Sequence, residues 1–132
     1  MRIIADTNVL VRAVMGDDPR QSAAARAELE AAEAIAIPLP VLCEFCWVLR
    51  RGYGVDAAGL QDVIRRLMSA ANVLVDREAV ESGLRFLAAG GDFADGAIVQ
   101  EGRRLGGAVF VSFDRKAAQL AAAERLETRL LA

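Results

Sequence analysis

The chain reads as an α/β fold, a parallel sheet covered on both faces by helices. Three observations predict it. Short apolar strand-like segments alternate with longer helical ones from end to end, and strands linked through helices pair in parallel. Several helical segments open on aspartate and stop at glycine, the expected start and stop chemistry. Finally, the 132 residues are 55 % hydrophobic, and much of that is alanine, which suits closely packed helices better than a sheet-only fold. No repeat, low-complexity linker or composition break divides the chain, so a single domain over residues 1–132 is expected.

The elements follow in order. Met1–Ala5 is a short apolar strand ending at Asp6-Thr7-Asn8, with a brief helix through Val14. Asp17-Asp18-Pro19 starts a helix, with an aspartate cap and proline at the first position, running to about Glu33. Ala34–Pro38 alternates as a strand, and Pro40 opens a helix through Arg51 that Gly52 and Gly54 close. Asp56 caps a helix to about Ala71, Asn72–Asp76 is a third strand, and Arg77–Ala89 is a helix ending at Gly90-Gly91. Asp92 caps a helix from Phe93 to Leu105, stopped by Gly106-Gly107. Ala108–Ser112 is a fourth strand, Arg115–Ala123 a last helix, and Glu127–Leu131 a short edge strand.

Composition narrows the function. The net charge of −2 supplies no global basic field for nucleic acid, although metal ions held by acids would supply local positive charge. The cations are arginines except for Lys116. Arginine is the better bidentate phosphate ligand, yet an Arg-, Ala- and Gly-rich chain is also what a GC-rich genome encodes. Cys43 and Cys46 form a C-x-x-C, but the chain has no histidine and no other cysteine to complete a zinc site. A redox pair and two buried core thiols remain as readings, the helical spacing of Phe45-Cys46-Trp47-Val48-Leu49 favouring the core. The longest uncharged stretch is broken by Pro38 and Pro40, and Asp6 interrupts the amino terminus before a signal-peptide core forms. A soluble, cytoplasmic protein is expected.

Open parallel sheets place ligands outside the carboxyl ends of their strands, and four acids stand where that rule looks. Asp6 directly follows the first strand, and Asp114 follows the fourth in Val-Ser-Phe-Asp. Aspartate at a strand end is also an ordinary turn or cap residue. Glu44 falls at the margin of an apolar stripe of Val41, Phe45 and Val48. A carboxylate there needs a cation, bound or supplied as an ion pair by Arg50, Arg51 or Arg65. Asp95 falls within an inward face defined by Ile98, Val99, Gly102 and Leu105, and Asp92 already occupies the cap. Converging carboxylates raise one another's pKa values unless a cation neutralises them. Oxygen ligands without His or Cys suit Mg²⁺ or Mn²⁺, ions that promote in-line phosphoryl displacement by water.

At these residues the sequence resembles the PIN-domain nucleases, and among them the VapC-type toxins of prokaryotic toxin–antitoxin pairs. The resemblance rests on Ile-Ile-Ala-Asp6-Thr7-Asn8-Val-Leu, Pro-Val-Leu-Cys-Glu44-Phe, Gly-Asp92-Phe-Ala-Asp95-Gly-Ala-Ile and Val-Ser112-Phe-Asp114-Arg115. Their order and spacing cover essentially the whole chain. The resemblance implies a three-layer α/β/α sandwich and Mg²⁺ or Mn²⁺ held by the acids matching Asp6, Glu44, Asp95 and Asp114. Thr7 or Asn8, with Ser112, look like the polar residues that support the site and orient water. The resemblance further implies hydrolysis of RNA by metal-activated water, a homodimer, and a cognate antitoxin that blocks the site. Two departures stand out: Ser112 where Thr is frequent, and Gly96 after Asp95 where Ala is usual.

Arg12, Arg103, Arg104 and Arg115 each adjoin one of these segments and are candidate phosphate-steering residues, with solvated surface charge as the plain alternative. Trp47 reads as core or dimer-interface packing rather than a base-stacking platform. The competing reading from another class is a receiver-type signalling domain, with Asp76 ending Val73-Leu74-Val75-Asp76 as its phosphorylation site. It wants a second acid where Thr7 stands and a lysine at a late strand end, and it leaves Glu44 and Asp95 without a role.

Overall fold

A computed structural model describes all of residues 1–132. Its contacts divide the chain into two compact units, Met1–Asp76 and Arg77–Ala132. Both are built from helices on parallel strands, the α/β class expected.

The first unit runs β1 (Arg2–Ile4), α1 (Thr7–Met15), α2 (Pro19–Ala31), β2 (Ala34–Ala36), α3 (Leu39–Gly52), α4 (Ala57–Ser69) and β3 (Val73–Leu74). The strands pair in parallel in the order β1-β2-β3, with Ile3 opposite Ile35 and Ile35 opposite Val73. Each crossover is helical, as parallel pairing demands. Helix starts are local: Asp18 and Asp56 each accept a hydrogen bond from the backbone N–H three residues on, at 3.1 and 2.7 Å, satisfying a donor the helix leaves orphaned. Gly16 closes α1 in the left-handed region at φ 65°, where a side chain would be strained.

The third strand is shorter than Asn72–Asp76. A strand lasts only as long as its partner can pair, and the last rung runs from Ile37 N–H to the Leu74 carbonyl at 3.0 Å. Beyond it Pro38 has no N–H to donate, and the chain turns into α3. The face that α3 buries also differs from expectation. Leu42, Phe45, Cys46 and Leu49 are buried, while Val41 and Val48 are only partly so. Both cysteines are free thiols, and burial raises the pKa of each, with Cys43 adding to the shift at Cys46. That is the opposite of an activated redox pair; Cys46 is buried in the core, whereas Cys43 is only partly buried and Trp47, expected to pack there, is 63 % exposed.

The second unit runs α5 (Arg77–Ala88), α6 (Phe93–Arg104), β4 (Val109–Ser112), α7 (Arg115–Ala123) and β5 (Glu127–Leu130). β5 pairs in parallel with β4, Val109 opposite Glu127 and Ser112 opposite Leu130. Phe86, Val99 and Ala121 form one buried cluster within it, with Phe110, Leu120 and Leu126 packed against them. Arg85 grips the Glu124 carboxylate with two nitrogens, at 2.9 and 2.6 Å, and Arg103 donates to the Glu124 carbonyl. The three residues tie α5 and α6 to the end of α7.

The seam between α5 and α6 is made by the absence of side chains. A Cβ on Gly96 would stand 2.4 Å from the Ser82 carbonyl oxygen, and one on Gly83 would stand 2.6 Å from the Phe93 ring. The Ser82 hydroxyl donates across the seam to the Gly96 carbonyl at 2.7 Å. This explains why glycine follows Asp95. It also corrects the face assigned to α6: Phe93, Gly96, Ala97 and Val99 are buried, whereas Ile98 and Leu105 are 55 % and 77 % exposed. Close helix contact follows the small residues rather than the large ones.

Two glycines of one helix therefore behave oppositely. Gly96→Ala overpacks the seam and should lose about 1–3 kcal/mol of unfolding free energy. Gly102, with nothing within 4 Å of its Cβ position, should gain roughly 0.5–1 kcal/mol as alanine. Urea titration followed by circular dichroism measures both.

Candidate active site

The first unit carries Asp6 and Glu44. Asp6 ends the β1 segment and caps α1, its Oδ1 accepting from Val9 N–H at 3.0 Å. Only one oxygen is committed to the cap, and the carboxylate is exposed, so the capping role leaves the other oxygen available to a ligand. Thr7, at the first position of α1, is buried, and Asn8 is exposed. Glu44 is exposed and enters no ion pair, whether with Arg50, Arg51 or any other cation. The expectation that it borders the buried stripe fails, because that stripe runs through Leu42, Phe45, Cys46 and Leu49 and leaves Glu44 on the outer side.

The second unit carries Asp95 and Asp114. Asp114 repeats the arrangement of Asp6: it follows a parallel strand and caps a helix, Oδ1 accepting from Ala117 N–H at 3.0 Å. Its own N–H donates to the Ser112 hydroxyl at 2.9 Å, so Ser112 holds the turn that delivers the acid. Asp95 lies in the first turn of α6 and is half-buried. Its pKa is raised, first by desolvation and then by the negative charges of Asp92 and Asp114. These three acids thus share one electrostatic neighbourhood.

Asp92 is the residue that sequence reasoning undervalued. It occupies the cap position of α6, but its side chain makes no capping hydrogen bond. The signal available was its spacing, three residues before Asp95 and so one turn away. Within neither unit do three acidic or cysteine side chains converge closely enough to hold a cation by themselves. The donors present are all carboxylate oxygens, the set that hard divalent ions prefer, and the mutual repulsion at Asp95 is what a bound cation would relieve.

The arginines beside these segments are mostly engaged. Arg12 donates to Asp17 at 3.2 Å, and the Tyr53 hydroxyl donates to the same carboxylate at 2.7 Å. The Tyr53 hydrogen bond, with Arg12 assisting, holds Asp17 below the ordinary aspartate pKa. Arg104 pairs with Glu101 at 2.6 Å, and Arg103 serves the end of α7.

A family model described as the PIN domain matches residues 3–123. The chain belongs to the PIN domain family. Members of that family are generally nucleases, and the match carries with it the three-layer α/β/α fold expected, to which the seven helices and parallel strand pairing conform. No curated protein matches the chain. The receiver-type alternative gains nothing from this PIN-domain chain, and no helix is long and apolar enough to cross a membrane.

The raised pKa of Asp95 fixes the sign of a pH effect. A carboxyl whose folded pKa exceeds its unfolded value binds its proton more tightly in the fold, so ionisation weakens the fold as pH rises through that window. In EDTA at neutral pH, Asp95→Asn should therefore melt at or above the wild-type temperature. The gap should close as pH falls below the ordinary aspartate range, where wild-type Asp95 is protonated in both states. Asp6→Asn should leave the melt nearly unchanged, since asparagine caps a helix as well as aspartate. Large losses for both in calorimetry would assign these acids to the scaffold instead.

Proposed function

We propose that this PIN-domain protein is a Mg²⁺- or Mn²⁺-dependent endoribonuclease of the VapC type, the toxin of a toxin–antitoxin pair, acting as one nuclease domain over residues 1–132. The observation that carries the reading is the span of the family match. It begins before Asp6 and ends beyond Asp114, so all four acids fall within one nuclease family model. The raised pKa of Asp95 supports it, because a half-buried acid beside two others is poorly explained by scaffolding.

In this reading Asp6, Glu44, Asp95 and Asp114 would hold the metal, which would supply an activated water for hydrolysis of an RNA phosphodiester. The chain's own contribution is positional. The caps at Val9 and Ala117 fix the Asp6 and Asp114 carboxylates by one oxygen each and leave the other for the ligand. Ser112 fixes the Asp114 turn, with Thr7 or Asn8 as polar support beside Asp6. The chain has no histidine, so proton transfer falls to the carboxylates and bound water. The reading extends to a homodimer, a cytoplasmic location and a cognate antitoxin that occludes the acids.

Cleavage of a mixed RNA pool by the purified chain tests it. With Mg²⁺ or Mn²⁺ the chain should cut RNA; EDTA should abolish cutting, and Asp95→Asn should reduce it by about 100-fold or more. Cleavage that persists in EDTA, or survives the substitution, would overturn the reading.

A further inference from the structure

We propose that Arg115 and Lys116 form a subsite for an RNA backbone phosphate beside the acids of the second unit; this rests on the ribonuclease reading above. Of the four arginines that adjoin the acidic segments, three have protein partners: Arg12 with Asp17, Arg103 with the Glu124 carbonyl and Arg104 with Glu101. Arg115 is exposed and enters no ion pair or hydrogen bond through its side chain. It directly follows Asp114, and Lys116, the single lysine of the chain, follows it.

Their position in α7 runs against the helix. Cations are favoured at a helix carboxyl end and disfavoured in the first turn, where the dipole is positive. Helix α7 has no acidic residue in its first turn and no basic residue in its last. Both of its cations therefore stand where the helix opposes them, and neither pairs with an acid within 4 Å. Internal stability does not explain them.

Lys116 also reaches across to the segment that delivers the acids. Its Cε and Nζ lie 3.6 and 3.7 Å from where a Cβ on Gly90 would stand. Gly90 sits at φ 90° in the turn that leads through Asp92 into α6. The ammonium thus lies beside Gly90, two residues before Asp92, and Arg115 directly follows Asp114 in the chain. An RNA strand approaching Asp92, Asp95 and Asp114 meets like charge. Two adjoining cations offset that repulsion, with the arginine able to grip a phosphate through two nitrogens and the lysine acting as a point charge.

Binding of a fluorescent single-stranded RNA to the full chain carrying Asp95→Asn, measured across a salt series, tests the subsite. Adding Arg115→Ala and Lys116→Ala together should weaken binding about 10-fold or more. It should also flatten the slope of log affinity against log salt by about 1.4, two phosphate contacts on a single strand. Arg115→Lys should lose less than Arg115→Ala. Arg20→Ala, the same charge loss in the first turn of α2, should change binding less than about 2-fold. In the cleaving protein the double variant should raise KM far more than it lowers kcat, and its melting temperature should not fall. If the Asp95→Asn parent binds RNA and the double variant matches it in affinity and slope, the subsite is overturned alone. If the parent binds no RNA and the wild type cuts none with Mn²⁺, the ribonuclease reading falls and the subsite with it.

Discussion

A parallel strand that hands the chain to a helix delivers it to a row of backbone N–H groups with no acceptor, and the placing of Asp6 and Asp114 grows from how that need is met. Asp6 and Asp114 meet it identically: each follows a strand, each caps the next helix through Oδ1, at 3.0 Å in both cases. A carboxylate has two oxygens, so a cap commits half of it. The residue that ends the strand and starts the helix can therefore also present a ligand oxygen beyond the strand's carboxyl end, where α/β folds place their chemistry. In the proposed nuclease, scaffold and site would be the same atoms used twice, and a cap of this kind is no argument against function.

The second constraint is the α5–α6 seam. Gly83 and Gly96 leave no room for a Cβ, and the Ser82 hydroxyl bridges the two backbones. Close approach buries the first turn of α6 and takes Asp95 half out of water, the leading cause of its raised pKa. Charge then compounds the effect through Asp92 and Asp114. A packing decision made with glycine thus becomes an electrostatic condition on an acid one residue away, of the kind a divalent ion relieves.

The arginines show how poorly proximity in sequence reports on use. Four of them adjoin acidic segments, yet Arg103 closes the end of α7 and Arg104 and Arg12 satisfy nearby acids. What separates Arg115 from these is the lack of an internal partner, which no pattern in the sequence records.

The sequence by itself determined what depends on short range. The order of strands and helices, the caps at Asp6, Asp18, Asp56 and Asp114, and the glycine stop at Gly16 all follow from interactions a few residues long. The placement of Asp6 and Asp114 just past a strand and at the start of a helix was legible for the same reason. Only the tertiary structure decided which faces turn inward. Glu44 lies off the buried stripe of α3, and Ile98 and Leu105 face outward on α6, because a helix buries whatever face its neighbour fits. At Gly96 the fit is set by Ser82, fourteen residues away. Periodicity records where large apolar residues recur; it does not record where a partner comes close enough to require none.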